Sequence, residues 1–77
     1  MWIQQKAYKK AGEVLAKSRQ AEGITQVELA KKLRKPQSFV SNCEIGQRRI
    51  DVLELIRIAK AMNVDAADLF RRIAAII

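Results

Sequence analysis

Apolar residues recur along this chain at intervals of three and four positions, the spacing that places them on one face of a helix. Strict alternation of apolar and polar residues, which is typical of strands, is absent. The chain also contains only three glycines and one proline, so few positions interrupt the helical pattern. We therefore predict an all-α fold of five helices.

The first predicted helix runs from about residue 5 to residue 21 and stops before Gly23. Its inward face consists of Tyr8, Ala11, Leu15 and Ser18. Thr25 and Glu28 then form a capping-box pattern, in which each side chain satisfies a free backbone N–H. A second helix is therefore expected over about residues 26–33.

The third helix is expected to begin at Pro36, whose ring fixes a φ suited to a first helical residue. On a helical wheel, one arc is polar and uncharged and the opposite arc is apolar. The polar arc consists of Gln37, Ser38, Ser41 and Asn42, and the apolar arc of Phe39, Val40 and Cys43. We interpret Cys43 as a small buried hydrophobe and expect Phe39 to pack mainly in the core.

The last two helices are predicted by further capping patterns. Asp51 and Glu54 form a second capping box, and the helix that follows should end at Asn63. Asp65 and Asp68 open the fifth helix in the same way. The predicted inward residues are Val52, Leu55, Ile56, Ala59 and Met62, followed by Leu69, Phe70 and Ile73.

Positive charge is concentrated in the N-terminal part of the chain. The net charge is +7. Residues 1–49 contain eleven Lys and Arg against four Asp and Glu, whereas residues 50–77 contain four of each. This excess favours a polyanionic partner, such as nucleic acid or an anionic membrane. The alternative is that these side chains only keep the protein solvated.

Several classes of chemistry are not expected. Histidine is absent and Cys43 is the single cysteine, so we predict no disulfide, no metal site and no cofactor. We predict no enzymatic activity, because the chain has no phosphate-cradling glycine loop and no convincing acid–base pair. Residues 1–5 turn polar before a signal-peptide core develops, and no apolar run is long enough to span a membrane. A cytoplasmic protein with no evident small-molecule substrate is expected.

The second and third predicted helices carry the strongest functional pattern. They are short, a tight turn separates them, and the uncharged polar arc of the third helix suits insertion into the major groove of DNA. Amide and hydroxyl side chains can bond base edges there, and Gln or Asn can bond adenine through two atoms. A membrane-binding helix would instead pair a lysine-rich face with a broad apolar face. The simpler alternative is a solvated helix face.

Further residues in a fixed order extend this pattern along most of the chain. They are Thr25, Gln26, Leu29, Ala30, Leu33, residues 35–41, Glu44, Gly46, Arg48, Arg49 and residues 58–61. In this spacing the chain resembles the Cro/C1-type (XRE) helix-turn-helix family over about residues 15–70, with the helix-turn-helix at about residues 25–44. We interpret residues 1–77 as a single domain.

The resemblance implies a five-helix, lambda-repressor-like domain that docks its third helix in the major groove, as a homodimer on a two-fold related site in double-stranded DNA. It assigns base contacts to Gln37, Ser38, Ser41 and Asn42. It assigns backbone contacts to Arg19, Thr25, Gln26, Gln47, Arg48 and Arg49. It also implies a pair in which Glu44 holds Arg19 beside the DNA.

The chain departs from the family pattern at three positions. Arg34 stands where glycine is common, and a positive φ at a non-glycine residue costs about 1 kcal/mol or more. Asn42 stands where lysine is frequent, and Ile45 where a polar residue is usual. The set of DNA contacts therefore need not match those of relatives.

The C-terminal residues 73–77 are all apolar and allow two interpretations. They either complete the core or form a dimer surface, and we expect the second because a small core has limited room. The predicted function is a sequence-specific DNA-binding transcriptional regulator, a repressor that acts by operator occupancy. The alternative is a protein-interaction module, such as an antitoxin or accessory factor, in which DNA binding is secondary.

Overall fold

The five predicted helices are all present, at nearly the predicted positions. The structure, a computed structural model, describes residues 5–77, and in this part of the chain it contains no strand. The helices are α1 (Gln5–Ala21), α2 (Gln26–Leu33), α3 (Gln37–Glu44), α4 (Val52–Ala61) and α5 (Ala66–Ile76). The expectation about a signal peptide rests mainly on residues 1–4, which lie outside the described residues. Among the described helices, none combines the length and the apolarity needed to cross a bilayer.

Both predicted capping boxes are confirmed. The Thr25 hydroxyl accepts a hydrogen bond from the Glu28 N–H at 3.1 Å, and the Glu28 carboxylate accepts from the Thr25 N–H at 2.8 Å. The bond from the Thr25 N–H holds the pKa of Glu28 below its usual value, because it favours the charged carboxylate. Asp51 and Glu54 make the same reciprocal pair at 2.8 and 3.1 Å. The caps therefore determine where α2 and α4 begin.

The turn between α2 and α3 depends on a residue that adopts an unusual backbone conformation. Arg34 has φ 57° and ψ 44°, the left-handed conformation that glycine adopts more easily. Pro36 has ψ 156° and is the N-cap rather than the first helical residue, so α3 begins one residue later than predicted. Its fixed φ of −64° still starts the first turn, since the Phe39 N–H bonds the Pro36 carbonyl at 3.0 Å.

The core lies where all five helices meet. Its fully buried apolar members are Leu15, Leu29, Ala30, Val40, Cys43, Ile58, Ala59, Met62 and Leu69. The α3 helix packs on α1 and α2, and α5 packs on α1 and α4. Ser18 is also buried, as its place on the inward face of α1 predicts, although its hydroxyl makes no hydrogen bond. The apolar arc of the third helix thus packs on the core.

Two residues that were predicted to face inward are exposed. Val52 is 71% exposed, because full burial in α4 begins only at Ile58 and the first turn extends past the core. Phe70 is 60% exposed, because its neighbour Leu69 takes the core position and consecutive helical residues point about 100° apart. Ile73, four residues after Leu69, packs on the core as expected.

Candidate nucleic-acid interface

The structure brings the four predicted base-contacting residues to one face of α3. Gln37, Ser38 and Asn42 are exposed, and Ser41 is half-buried beside them. No charged residue lies among them on this helix until Glu44, which is buried. The face therefore offers neutral donors and acceptors for hydrogen bonding, which is the chemistry that base edges require.

Arg19 and Glu44 form the predicted pair, with two parallel hydrogen bonds. Arg19 Nε donates to Glu44 Oε2 at 2.7 Å, and Arg19 Nη2 donates to Glu44 Oε1 at 3.1 Å. Arg19 Nη1 also donates to the Ile24 carbonyl at 2.8 Å. Only 10% and 7% of the two side chains are exposed, so the pair is nearly buried. It ties the C-terminal end of α3 to α1.

Gln26 links this ion pair to the start of α3. Its Nε2 donates to Glu44 Oε1 at 2.8 Å, and its Oε1 accepts from Gln37 Nε2 at 3.3 Å. The Gln37 amide is therefore oriented by a chain of contacts that begins in the buried pair. At the same end of α2, the Thr25 hydroxyl caps the helix, as described above.

The loop of residues 45–51 carries Gln47, Arg48 and Arg49, the other residues that are predicted to contact the DNA backbone. The Gln47 N–H bonds the Asn42 carbonyl at 2.9 Å, which holds the loop against the end of α3 while the Gln47 side chain stays exposed. Arg48 pairs with Glu54 through two hydrogen bonds of 2.9 and 2.8 Å. The Arg49 guanidinium lies 5.9 Å from the centre of the Tyr8 ring.

Phe39 has charged neighbours that the sequence pattern did not predict. Its half-buried ring packs on the core, as expected, but Lys35 Nζ lies 5.5 Å and Arg48 Cζ 4.7 Å from the ring centre. Both distances are within the range of cation–π attraction. Lys35 lies in the turn before α3, and the Arg48 contact depends on the path of the loop, so neither contact follows from helical spacing.

Two glycines set the position of α3 against α1. A β-carbon on Gly12 would lie 2.5 Å from the Cys43 carbonyl oxygen, and one on Gly46 would lie 2.6 Å from the Cα of Lys9. Gly46 also has φ +80°, a conformation that glycine adopts more easily than other residues. Gly12 was missed, although a glycine within a helical pattern is itself a signal of close packing.

Cys43 is buried, as expected, and burial raises the pKa of its thiol from 9.0 to about 11. The protonated thiol is the inert form at neutral pH. This residue therefore belongs to the packing of α3 rather than to its chemistry.

An apolar groove of about 610 Å³ lies between α1, the loop of residues 45–51, the start of α4 and α5. Its lining includes Tyr8, Ile50, Leu55, Phe70, Ile73 and Ile77. Two of these side chains are largely exposed, Phe70 at 60% and Ile77 at 70%. Large exposed apolar residues that line a groove mark a candidate protein interface.

Comparison with known families agrees with this geometry. A helix-turn-helix family model matches residues 15–69, which are most of the chain. A comparison with curated protein sequences finds no match.

Solved structures of similar proteins share the fold. An XRE-family-like protein from Pseudomonas syringae is 38% identical, with a TM-score of 0.81 and coverage of 92% of this chain and 87% of that one. The restriction-modification controller protein C.AhdI from Aeromonas hydrophila is 29% identical, with a TM-score of 0.75 and coverage of 80% and 94%. The controller protein C.Esp1396I, solved as a tetramer with its natural 35 base-pair operator, is 26% identical, with a TM-score of 0.79 and coverage of 90% and 91%.

Proposed function

We propose that this chain, which belongs to the Cro/C1-type (XRE) helix-turn-helix family and is a DNA-binding transcriptional regulator, acts as a repressor that occupies its operator. The observation that carries the proposal is the exposed, uncharged face of α3, whose first amide is oriented by the contacts from Arg19 through Glu44 and Gln26. Preorganised donors and acceptors lose less conformational entropy on binding than free side chains do. Such a face suits the reading of bases.

In this proposal Gln37, Ser38, Ser41 and Asn42 contact base edges in the major groove. The Gln37 amide donates one N–H to Gln26, and its second N–H and its carbonyl oxygen suit a two-atom contact with adenine. The two serines and Asn42 supply shorter donors and acceptors along the same face.

The proposed phosphate contacts surround this face. They come from the start of α2 and from the loop after α3, and they are Thr25, Gln26, Gln47, Arg48 and Arg49. The Glu28 N–H is capped by Thr25, but the N–H groups before it in α2 have no partner within the helix and suit a phosphate oxygen. Arg19 is mostly occupied by Glu44 and Ile24, so we assign it an anchoring role with a phosphate contact through its exposed edge. The positive charge of residues 1–49 adds a sequence-independent attraction.

We further propose that two copies bind a two-fold related site, with the apolar groove as the dimer interface. One copy of α3 can read only a few base pairs, so a second copy doubles the number of base pairs that are read. The centres of the two half-sites should then lie about 34 Å apart. The exposed Phe70 and Ile77 line the groove, and Ile76, next to Ile77 in the chain, is also exposed, so this apolar face suits an isologous contact. The homologous controller protein that was solved as a tetramer on its operator supports a multimeric DNA complex.

The proposal assigns the chain no catalytic role. Regulation by occupancy requires only binding, and we place residues 1–77 as a single binding domain that acts on DNA in the cytoplasm. The apolar groove also favours a second candidate, a protein-interaction module such as an antitoxin or accessory factor. In that case the groove would hold a different protein and DNA binding would be secondary.

Selection of bound duplexes from a random DNA pool tests the proposed function. We expect a recovered motif with two related halves about one helical turn apart. Gel shift at physiological salt should then show tighter binding to this duplex than to a scrambled one. Recovery of no motif, with equal binding to all duplexes, would support the second candidate instead.

A further inference from the structure

Glu54 makes more contacts than a capping residue needs. Its carboxylate accepts hydrogen bonds from both terminal nitrogens of Arg48, at 2.9 and 2.8 Å, and also from the Asp51 N–H at 3.1 Å. One carboxylate therefore caps α4 and fixes the orientation of a guanidinium in the preceding loop. The pair also raises the pKa of Arg48, so the arginine is charged at any pH of interest.

The guanidinium that Glu54 holds reaches the recognition helix. Arg48 Cζ lies 4.7 Å from the centre of the Phe39 ring, and Arg48 Nη1 also donates to the carbonyl of Arg49. Phe39 directly follows Gln37 and Ser38 in α3. Arg48 thus touches α3, the loop backbone and α4 at once.

This bridge links elements that pack mainly on other partners. The α3 helix packs on α1 and α2, whereas α4 packs on α2 and α5. Arg48 supplies a connection between α3 and the start of α4 that these helix contacts do not supply. The loop to which Arg48 belongs also carries Gln47 and Arg49, and the proposed function assigns all three residues to phosphates. The position of these groups relative to the base-reading face therefore depends on where Arg48 is held.

We propose that Glu54 is a positioning residue for DNA binding, which acts by holding Arg48 against Phe39. In this way it fixes the loop of residues 45–51 relative to α3, so that phosphate contacts and base contacts form together on the correct site. The proposal rests on the proposed function. It predicts that the loss of the Glu54 charge weakens specific DNA binding, whereas the removal of a negative charge from a DNA-binding surface normally strengthens binding.

The test compares Glu54→Gln with Glu28→Gln in the full chain. Both glutamates are the third residue of a helix and close a capping box, where glutamine also serves, and both substitutions remove one negative charge. Of these two glutamates, only Glu54 accepts hydrogen bonds from an arginine. Affinity is measured for the selected duplex and for a scrambled duplex of equal length, well below the melting temperature of each variant.

The proposal predicts that Glu54→Gln lowers the ratio of selected to scrambled affinity by about five-fold, while Glu28→Gln leaves this ratio unchanged. A merely structural role would not change this ratio between folded proteins. The proposal is overturned if Glu54→Gln strengthens binding to both duplexes, as charge removal alone predicts, or weakens both equally.

A second substitution tests whether the effect passes through Phe39. Phe39→Leu keeps an apolar group against the core but removes the ring that faces Arg48. In this background Glu54→Gln should change the affinity ratio by less than about two-fold, because both substitutions break the same bridge. An undiminished five-fold effect would contradict the bridge.

The parent chain separates this proposal from the proposed function. A parent that does not distinguish the selected duplex from the scrambled one refutes the proposed function, and the role of Glu54 falls with it. A parent that does distinguish them, with Glu54→Gln behaving like Glu28→Gln, refutes the positioning role alone.

Discussion

Gly12 of α1 lies directly against the end of α3, where a β-carbon would be 2.5 Å from the Cys43 carbonyl oxygen and 2.7 Å from the carbonyl carbon of Glu44. These are backbone atoms, so they cannot rotate away as a flexible side chain can. Gly12→Ala should therefore destabilise the protein by about 2–3 kcal/mol, although the same change within an ordinary helix stabilises it by up to about 1 kcal/mol. Urea unfolding measures the difference.

Gly23→Ala is the matched control for this prediction. Gly23 has φ +70° and nothing within 4 Å of its missing β-carbon. Its substitution should cost only about 1 kcal/mol, from the backbone conformation alone. A Gly12→Ala protein as stable as the parent would show that α1 and α3 do not approach this closely.

The second prediction concerns the buried pair of Arg19 and Glu44. Glu44→Gln keeps the shape of the side chain but leaves the Arg19 charge nearly buried without its counter-charge. We expect a loss of about 2–4 kcal/mol in the free energy of unfolding, together with weaker binding to the selected duplex. Glu28→Gln, at an exposed carboxylate, should lose clearly less. Equal losses of stability in the two variants would contradict the stabilising role assigned to the buried pair.

The third prediction follows from the buried thiol of Cys43. Its pKa is about 11 in the folded protein and 9.0 ordinarily, so the unfolded chain loses the proton first as pH rises. Between these values unfolding releases a proton, and the contribution of Cys43 to stability should fall with rising pH; below pH 9 it should be constant. Urea unfolding of the parent and of Cys43→Ala at pH 8, 9.5 and 10.5 checks this. The variant should lack this part of the alkaline loss, and identical alkaline slopes would contradict the burial argument.

The fourth prediction tests the apolar groove as a dimer interface. Phe70 lines the groove and is 60% exposed, so Phe70→Glu should place a charge in the interface and shift the protein from dimer to monomer in analytical ultracentrifugation. Leu53 is 70% exposed but does not line the groove, and Leu53→Glu should leave the dimer intact. A parent that is monomeric on DNA, with one chain for each tight site, would refute the dimer.

Much of the fold follows from local signals in the sequence. The Thr25–Glu28 and Asp51–Glu54 pairs mark the starts of α2 and α4, because capping depends only on residues three apart. Local periodicity did not identify how far each helix extends past its neighbours. For that reason Val52 and Phe70 were predicted to lie inside, and both are exposed.

In the candidate interface too, local sequence patterns predict some features and leave others undetermined. The polar arc of α3 is a property of one helix, so its exposure was predictable from spacing. The contacts of Gln26 with Glu44 and Gln37, and of Arg48 with Phe39, join residues from different elements. Their geometry depends on the packing of α1 to α4, including the close approach at Gly12. The sequence alone contains no local pattern that determines such distances.

The central claim is that α3 reads base edges, and the most direct measurement is the affinity of Gln37→Ala for the selected and the scrambled duplex across a salt series. The account predicts a loss of about 1–3 kcal/mol on the selected duplex, with binding to the scrambled duplex and the salt dependence nearly unchanged, since Gln37 is neutral and is proposed to contact bases. Gln5→Ala, at an exposed amide at the start of α1, should bind both duplexes like the parent. Equal weakening on both duplexes by Gln37→Ala, or no loss on the selected one, would contradict the account.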